Sequence, residues 1–493
     1  MYTHTHSPAA FPKAVFYRAL LAPAVGCVRE SAPGSPFPWS ERHLRCLWYD
    51  PRYRPADLET VDGQSVTVLD PGRWNLEAGP DFMDATLVVH PGARHLQGDV
   101  ELHVRPADWD QHGHRADPRY RRLIAHVTWS NGQLPTDVLP AGALQIALQP
   151  YFRASRAFSF DTLDVTAYPY ATRGDEPPCR QPWRALLPDG QAVVLEAAGQ
   201  ERLRRKAERL ATDSETKGQG QVLYEEALAA LGYKHNRQPC RELAARLPAA
   251  LLRETSGGDA MHAYALLCGV AGLLPAQATP GWDGAARAFV RSLWDTWWKH
   301  SAAWSGRTLA KQDWTLANCR PPNQPLRRLM AAAEWFGGPE LLAERLLALS
   351  AGPPSDFLPA VLALLVGTGR QSFWATRQGL SGQCLSKRLA IVGPDRAASL
   401  LVNVIVPWLA AGGHTELTAT LMASLPPEDD NQVARHTAHA LFGHDHNPGL
   451  YRRSGLRQQG LLQIFHDFCL DARGGCEHCP FPGALARAGV SEQ

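Results

Sequence analysis

Residues 78–104 read AGPDFMDATLVVHPGARHLQGDVELHV. The second half alternates strictly. In an extended strand, Val100, Leu102 and Val104 share one face, and Asp99, Glu101, His103 and Arg105 share the other. Asp81 follows a Gly-Pro turn at the mouth of the preceding strand, so the pattern lines up Asp81, Glu101 and His103 on neighbouring strands. A solvated sheet face is the plain reading of such a row. A metal-centred hydrolytic site is the sharper one.

Working outward, SVTVLDP (65–71), DATLVVH (84–90) and QGDVELHV (97–104) read as successive strands, the last two joined by the turn-forming PGARHLQG. RLIAHVTWS (122–130) is a fourth strand closed by Asn131-Gly132, and GALQIALQP (142–150) a fifth. Ahead of them, SERHLRCLWYD (40–50) has Ser40 as N-cap and apolar residues at helical spacing. After EPPCRQPW (176–183) the composition turns to Ala, Leu and Arg, and segments such as ERLRRKAERLATD and PLRRLMAAAEWF show helical periodicity. The expected class is α+β: a mixed α/β domain with a small sheet, of restriction-endonuclease-like type, followed by an all-helical region. The expected boundaries are a disordered leader over 1–40, the α/β domain over 41–175, a helical domain over 185–465 and a Cys-cluster tail over 466–482.

A chain of 493 residues calls for two or three domains. Its net charge of +2 supplies no global attraction for nucleic acid, leaving only local basic patches. Ten cysteines without regular pairing point to a reducing compartment. With no signal-peptide pattern and no 18-residue apolar run, the expected location is cytoplasmic and away from membranes.

Metal-assisted phosphodiester cleavage needs carboxylates around a hard cation and a basic group beside the attacking water. GPDF followed by GDVELHV is similar to the Pro-Asp … Asp/Glu-x-Lys pattern of restriction-endonuclease-like nucleases. The resemblance implies that Asp81 and Glu101 bind Mg2+ or Mn2+, with Glu77 or Asp99 completing the shell and His103 orienting water. It departs from that pattern at His103, where Lys is usual. Downstream, ADWDQHGHRADPRY (107–120) brings His112 and His114 close to His103 and His126, a set suited to a transition metal such as zinc. The plain reading is a polar loop whose Asp residues satisfy turns. Arg105, Arg115 and Arg119, flanked by Trp109 and Tyr120, are candidate contacts to nucleic acid. In the helical half, Arg237, Arg320, Arg327 and Arg328 read first as packing residues and second as phosphate contacts.

The tail DFCLDARGGCEHCPFP carries Cys469, Cys476 and Cys479 with a C-x2-C knuckle, a partial ligand set for Zn2+ or an iron–sulfur cluster. His466, His478, His444, His446 and Cys46 are the candidates for a fourth ligand.

The stretches N-x-E-AGPDF (75–82), GDVELH (98–103), ADWDQHGHRADPRY, IAHV (124–127), LGYKHN (231–236), CRPPNQPLRRL (319–329) and LLVNVIVP (400–407) together resemble a bacterial family defined as a domain of unknown function, DUF family 2851. The likeness covers roughly residues 40–480. It implies a family and no activity. The function expected first is a metal-dependent nuclease-like phosphodiesterase acting on nucleic acid. The alternatives are a non-catalytic nucleic-acid or protein-binding module with a structural metal, and a zinc-dependent hydrolase of small molecules built on His103, His112 and His114.

Overall fold

A computed structural model describes residues 10–21, 39–76, 79–135, 137–153, 158, 160, 163–165, 168–169, 176–233, 235–316, 323–381, 384–429, 431–443, 449–470, 476 and 479–490. The fold is α+β, with a sheet-containing N-terminal region and a helical C-terminal region. The chain forms two compact units: Leu21–Ala185 with Ile464–Gln493, and Met1–Leu20 with Leu186–Gln463.

The first unit holds a seven-stranded mixed sheet. Its strands are β1 (Leu58–Glu59), β2 (Ser65–Asp70), β3 (Arg73–Trp74), β4 (Phe82–His90), β5 (Arg94–His103), β6 (Leu123–Thr128) and β7 (Leu144–Ala147). The order is β1-β2-β4-β5-β6-β7, with β3 paired to β4 off this path. All five strands expected from sequence are present. β4 and β5 form the antiparallel hairpin that the quoted stretch encodes, with Val89 opposite Arg94 and Phe82 opposite Val100. β5 and β6 are parallel, with Glu101 opposite His126 and His103 opposite Thr128. Parallel neighbours need a crossover of about a dozen residues or more. Residues 104–122 supply it, and they are the His- and Asp-rich loop. It contains a helical turn, α3 (Asp108–Gln111). Gly98 lets β6 approach: a Cβ there would fall onto the Arg122 carbonyl oxygen and lie 2.6 Å from Ile124 Cγ2.

The helix expected over 40–50 forms as α2 (Glu41–Tyr49), with Ser40 at its N-cap. It packs against β5 and is buried from Glu41 through Trp48, charged residues included. Leu44, Leu47 and Trp48 fill the core, as their spacing required. The charged side chains are paired off inside. Arg42 donates to the carbonyls of Val165, Tyr168 and Pro169. Arg45 forms an ion pair with Asp81 (2.7 Å) and lies 3.5 Å from Glu41. The polar face of β5 is not solvated. Asp99, Glu101 and His103 are as buried as Val100 and Leu102, because α2 and the crossover loop close over the sheet. Three more helices belong to this unit: α4 (Gln149–Arg153), α5 (Arg180–Ala185) and α21 (Phe481–Val490).

In the second unit, α1 (Ala14–Leu21, up to Leu20) precedes the helices α6 (Pro188–Lys217), α7 (Gln219–Leu231), α8 (Arg237–Arg246), α9 (Ala249–Ser256), α10 (Ala260–Val270), α11 (Gly284–Ser301) and α12 (Pro325–Gly337). They continue as α13 (Leu342–Ser350), α14 (Pro354–Gly367), α15 (Pro394–Leu400), α16 (Val406–Ala411), α17 (Thr415–Leu421), α18 (Gln432–Phe442), α19 (Gly449–Arg452) and α20 (Gly455–Ile464). Part of the segment expected as a disordered leader is therefore structured. Ala10, Phe11 and Ala14 enter the core beside Leu203, Ala207 and Leu210 of α6. Arg327 and Arg328 take the packing role. Arg327 donates to the carbonyls of Leu389 and Ala390 (both 3.0 Å), and Arg328 to Tyr233 Oη and Asn323 Oδ1. Both are buried. Arg320 lies outside the described residues. Among the described residues, no helix is long and apolar enough to cross a membrane.

Candidate metal centre

The site grows from the carboxyl end of β5. Glu101 and His103 are two residues apart on one strand and so project to one face. His126 joins them from β6, because the parallel register sets it opposite Glu101. The crossover loop leaves β5 just beyond His103 and folds back over this face. Its acids hold the turn: Asp108 accepts from the Arg105 N–H (2.8 Å), and Asp117 from the Arg119 N–H (2.9 Å). Its two histidines point inward. Gly113, in the left-handed region at φ 75°, reverses the backbone between them.

Three ring nitrogens meet as a result. His103 Nε2 is 3.1 Å from His112 Nδ1 and 3.2 Å from His114 Nε2. Among the described residues, His103, His112 and His114 form the group whose ligand atoms all lie within 4.8 Å of one another. Glu101 Oε1 stands 3.4 Å from His114 Nε2 and 3.6 Å from His103 Nε2. On the far side of its ring, His103 Nδ1 is 2.8 Å from His126 Nε2. With the proton of His103 on Nδ1 and shared with His126, Nε2 carries a lone pair toward His112 and His114. Such a partner behind the ring fixes the tautomer and orientation that a metal ligand needs.

Burial keeps the rings of His103, His114 and His126 neutral. Burial drives the His103 pKa well below its usual value, helped by His126, His112, His114 and Arg45. Burial lowers His114 to about 4, with Asp117 opposing and Arg119 assisting. Burial also lowers His126 to about 4, with His114 assisting and Asp108 opposing. Neutral imidazole is the ligating form. Tyr120 walls the site, its ring centroid 4.2 Å from that of His114. Burial, then the charge of Glu101, raises its phenol pKa far above normal, so it stays a proton donor. Trp109 packs edge-on to His103 and His114. Trp109 and Tyr120 are both buried, so they are walls of the loop rather than platforms for bases. His112 is the exposed member of the trio and marks the side that opens to solvent.

The other sequence candidates are placed as follows. Asp81 and Glu101 are cross-strand neighbours, but they meet through the main chain. Glu101 Oε2 accepts from the Asp81 N–H, and Asp81 Oδ2 accepts from the Leu102 N–H (both 2.9 Å). The other oxygen of Asp81 faces Arg45. Asp99 accepts from the Asp84 N–H (3.1 Å), beside a bulge in β6 where Leu123 and Ala125 lie opposite the consecutive residues Asp99 and Val100. Glu77 lies outside the described residues. Arg105, Arg115 and Arg119 are exposed, and each is paired with a nearby acid: Asp108 (2.7 Å), Asp137 (3.3 Å) and Asp117 (2.5 Å). Sequence reading missed Arg45. A charged residue inside an amphipathic pattern reads as the solvent side of a helix, and nothing local announces that α2 is enclosed on all sides.

No curated protein matches this chain, and no solved structure does. One family model does, over residues 41–430, and it is described as a protein of unknown function (DUF2851). It spans the whole sheet, the histidine loop and most of the helical unit, so the chain belongs to the DUF2851 family.

Proposed function

We propose that the protein is a transition-metal-dependent hydrolase whose metal is held by His103, His112 and His114. The convergence of three imidazole nitrogens on one point carries this reading. Each of these short N···N contacts calls for a shared proton or a cation between the rings, and the single nitrogen His103 Nε2 faces both loop histidines. Imidazole ligands suit Zn2+ or Fe2+ better than Mg2+, and the Glu101 carboxylate beside them also admits Mn2+. Three protein ligands with an open position define a catalytic rather than a structural site. The exposed edge at His112 is the natural side for that position. A metal bound there would lower the pKa of a water molecule toward neutrality. Glu101, with Oε1 beside two of the ligands, is placed to take its proton. Tyr120 is placed to donate one.

This reading moves the weight from the Asp81–Glu101 pair to the histidines, since Asp81 already faces Arg45 and the Leu102 amide. The pairing of Arg105, Arg115 and Arg119 with local acids favours a small substrate over a nucleic-acid strand. Phosphodiester cleavage in nucleic acid stays as a second reading because Asp81 and Glu101 occupy adjoining strands beside the metal position.

The test is elemental analysis of the purified chain, run with hydrolysis assays on DNA, RNA and chromogenic phosphoesters and carboxylic esters. The expected result is about one transition-metal ion lost in His103→Ala with His114→Ala. Turnover should be restored by Zn2+ or Mn2+ and fall by at least about a hundredfold in Glu101→Gln, which keeps the metal. A metal content unchanged by the double histidine substitution would refute the assignment. Cleavage confined to DNA or RNA would select the second reading.

A further inference from the structure

The C-terminal cysteines have a partner that the sequence reading passed over. Cys179 sits one residue before α5, and Cys479 two residues before α21. These two helices pack together within the first unit. Cys469 closes the helical segment that follows α20. Its neighbour Phe468 packs on Phe481 of α21, with ring centroids 4.5 Å apart. Cys476 and Cys479 form a tight knuckle in which the Cys479 N–H donates to the Cys476 carbonyl (3.2 Å). Four thiols thus gather around the base of one helix pair, and none of them is in a disulfide. Cys179 lies within electrostatic reach of Cys476 and Cys479, and Cys469 within reach of all three.

We propose that Cys179, Cys469, Cys476 and Cys479 are the four ligands of an iron–sulfur cluster that ties residues 464–490 to residues 176–185. Four thiolates complete the set that three left open, and no histidine is needed. The spacing selects a cluster over a single ion. A tetrahedral zinc with Zn–S bonds of about 2.3 Å holds its sulfurs about 3.8 Å apart. Among the described residues, which include all four cysteines, no three of these sulfurs lie within 4.8 Å of one another. A multi-iron cluster carries its thiolates further apart because each binds a different iron. Pro480 directly after Cys479 is a feature shared with the last ligand of ferredoxin-type runs, although the two-residue gap before Cys479 is one shorter than theirs. The cluster's position gives it a structural role. Cys179 lies just before Ala185, where the chain leaves the first unit, and Cys469 just after Ile464, where it returns.

The experiment is anaerobic purification of the full chain, with iron, acid-labile sulfide and zinc measured, followed by visible and electron paramagnetic resonance spectra after dithionite reduction. The expected result is about four irons and four sulfides per chain. Cys179→Ser should lose most of the sulfide, while Cys384→Ser, at an exposed cysteine elsewhere, keeps it. Sulfide separates this site from any iron at the histidines, and the wild-type assay does not depend on the variant folding. About one zinc per chain lost in Cys179→Ser, with no sulfide, would overturn the cluster in favour of a four-thiolate zinc. Sulfide retained in Cys179→Ser would overturn the ligand assignment.

Discussion

At the scale of the residue, burial turns ordinary side chains into specialised ones. Asp81 is fully buried with Arg45 as its counterion. Removing one partner of a buried pair strands the other charge, which costs about 3–5 kcal/mol. Arg45→Ala should therefore lower the free energy of unfolding by that order, and a urea titration of the variant checks it. Arg45→Lys should recover only part of the loss, because an ammonium lacks the planar fork of the guanidinium. His43 shows the same effect without an acid. Burial, aided by His466 and Arg42, lowers its pKa from 6.5 to about 3, against the hydrogen bond from Ser40 that raises it. The sign follows from proton binding. Between about pH 3 and pH 6.5 the unfolded chain binds the proton and the folded chain does not, so folding loses stability as pH falls through that window. His114 and His126, each lowered to about 4, act in the same direction. The expected outcome is a urea midpoint that is flat from pH 8 to 7 and falls steadily from pH 6.5 to 5. A midpoint independent of pH over that range would show that these rings are not held neutral.

At the scale of the element, one hairpin and one crossover make the site. The alternation of residues 97–104 fixed which side chains share a face, and Glu101 and His103 do share one. What surrounds that face came from β6. Its close approach depends on Gly98, which has no room for a Cβ against the Arg122 carbonyl and Ile124. Gly98→Ala should force β5 and β6 apart and cost roughly 1–3 kcal/mol, as overpacking does. It should also weaken metal binding, because His126 and the crossover loop shift with β6. Thermal denaturation and a metal titration on the same variant measure both effects. Turn chemistry was equally legible: Asp108 and Asp117 do hold the backbone. The sequence could not sort the loop's acids from its histidines by role, because both readings use the same residue types.

At the scale of the whole molecule, the chain does not follow a simple order of domains. Residues 464–493 belong with the α/β unit, and the described part of residues 1–20 with the helical one. Proline and alanine around α1 suggested a leader, yet Phe11 is only 4% exposed and joins the core beside α6. Lys13 pairs with Glu196 (2.5 Å) of the same helix. Truncating Phe11 to Ala should cost about 3 kcal/mol, whereas a true leader would tolerate the change. Calorimetry distinguishes the two. The expected result is a lowered midpoint for the helical unit with the transition of the α/β unit unchanged, since Phe11 packs in the core of the helical unit.

Local pattern by itself determined the α+β class, the five principal strands, the helix over 41–49 and the candidate residues at the end of β5. These depend on periodicity and turn chemistry, which act over a few residues and are written in order along the chain. The tertiary structure alone decided that the polar face of β5 is buried, that Arg45 faces Asp81, that His112 and His114 close on His103, and that α5, which begins just after Cys179, packs on α21, which begins just after Cys479. Each of these depends on which elements pack together. Packing is a property of the whole set of apolar surfaces, and no short stretch of sequence encodes it.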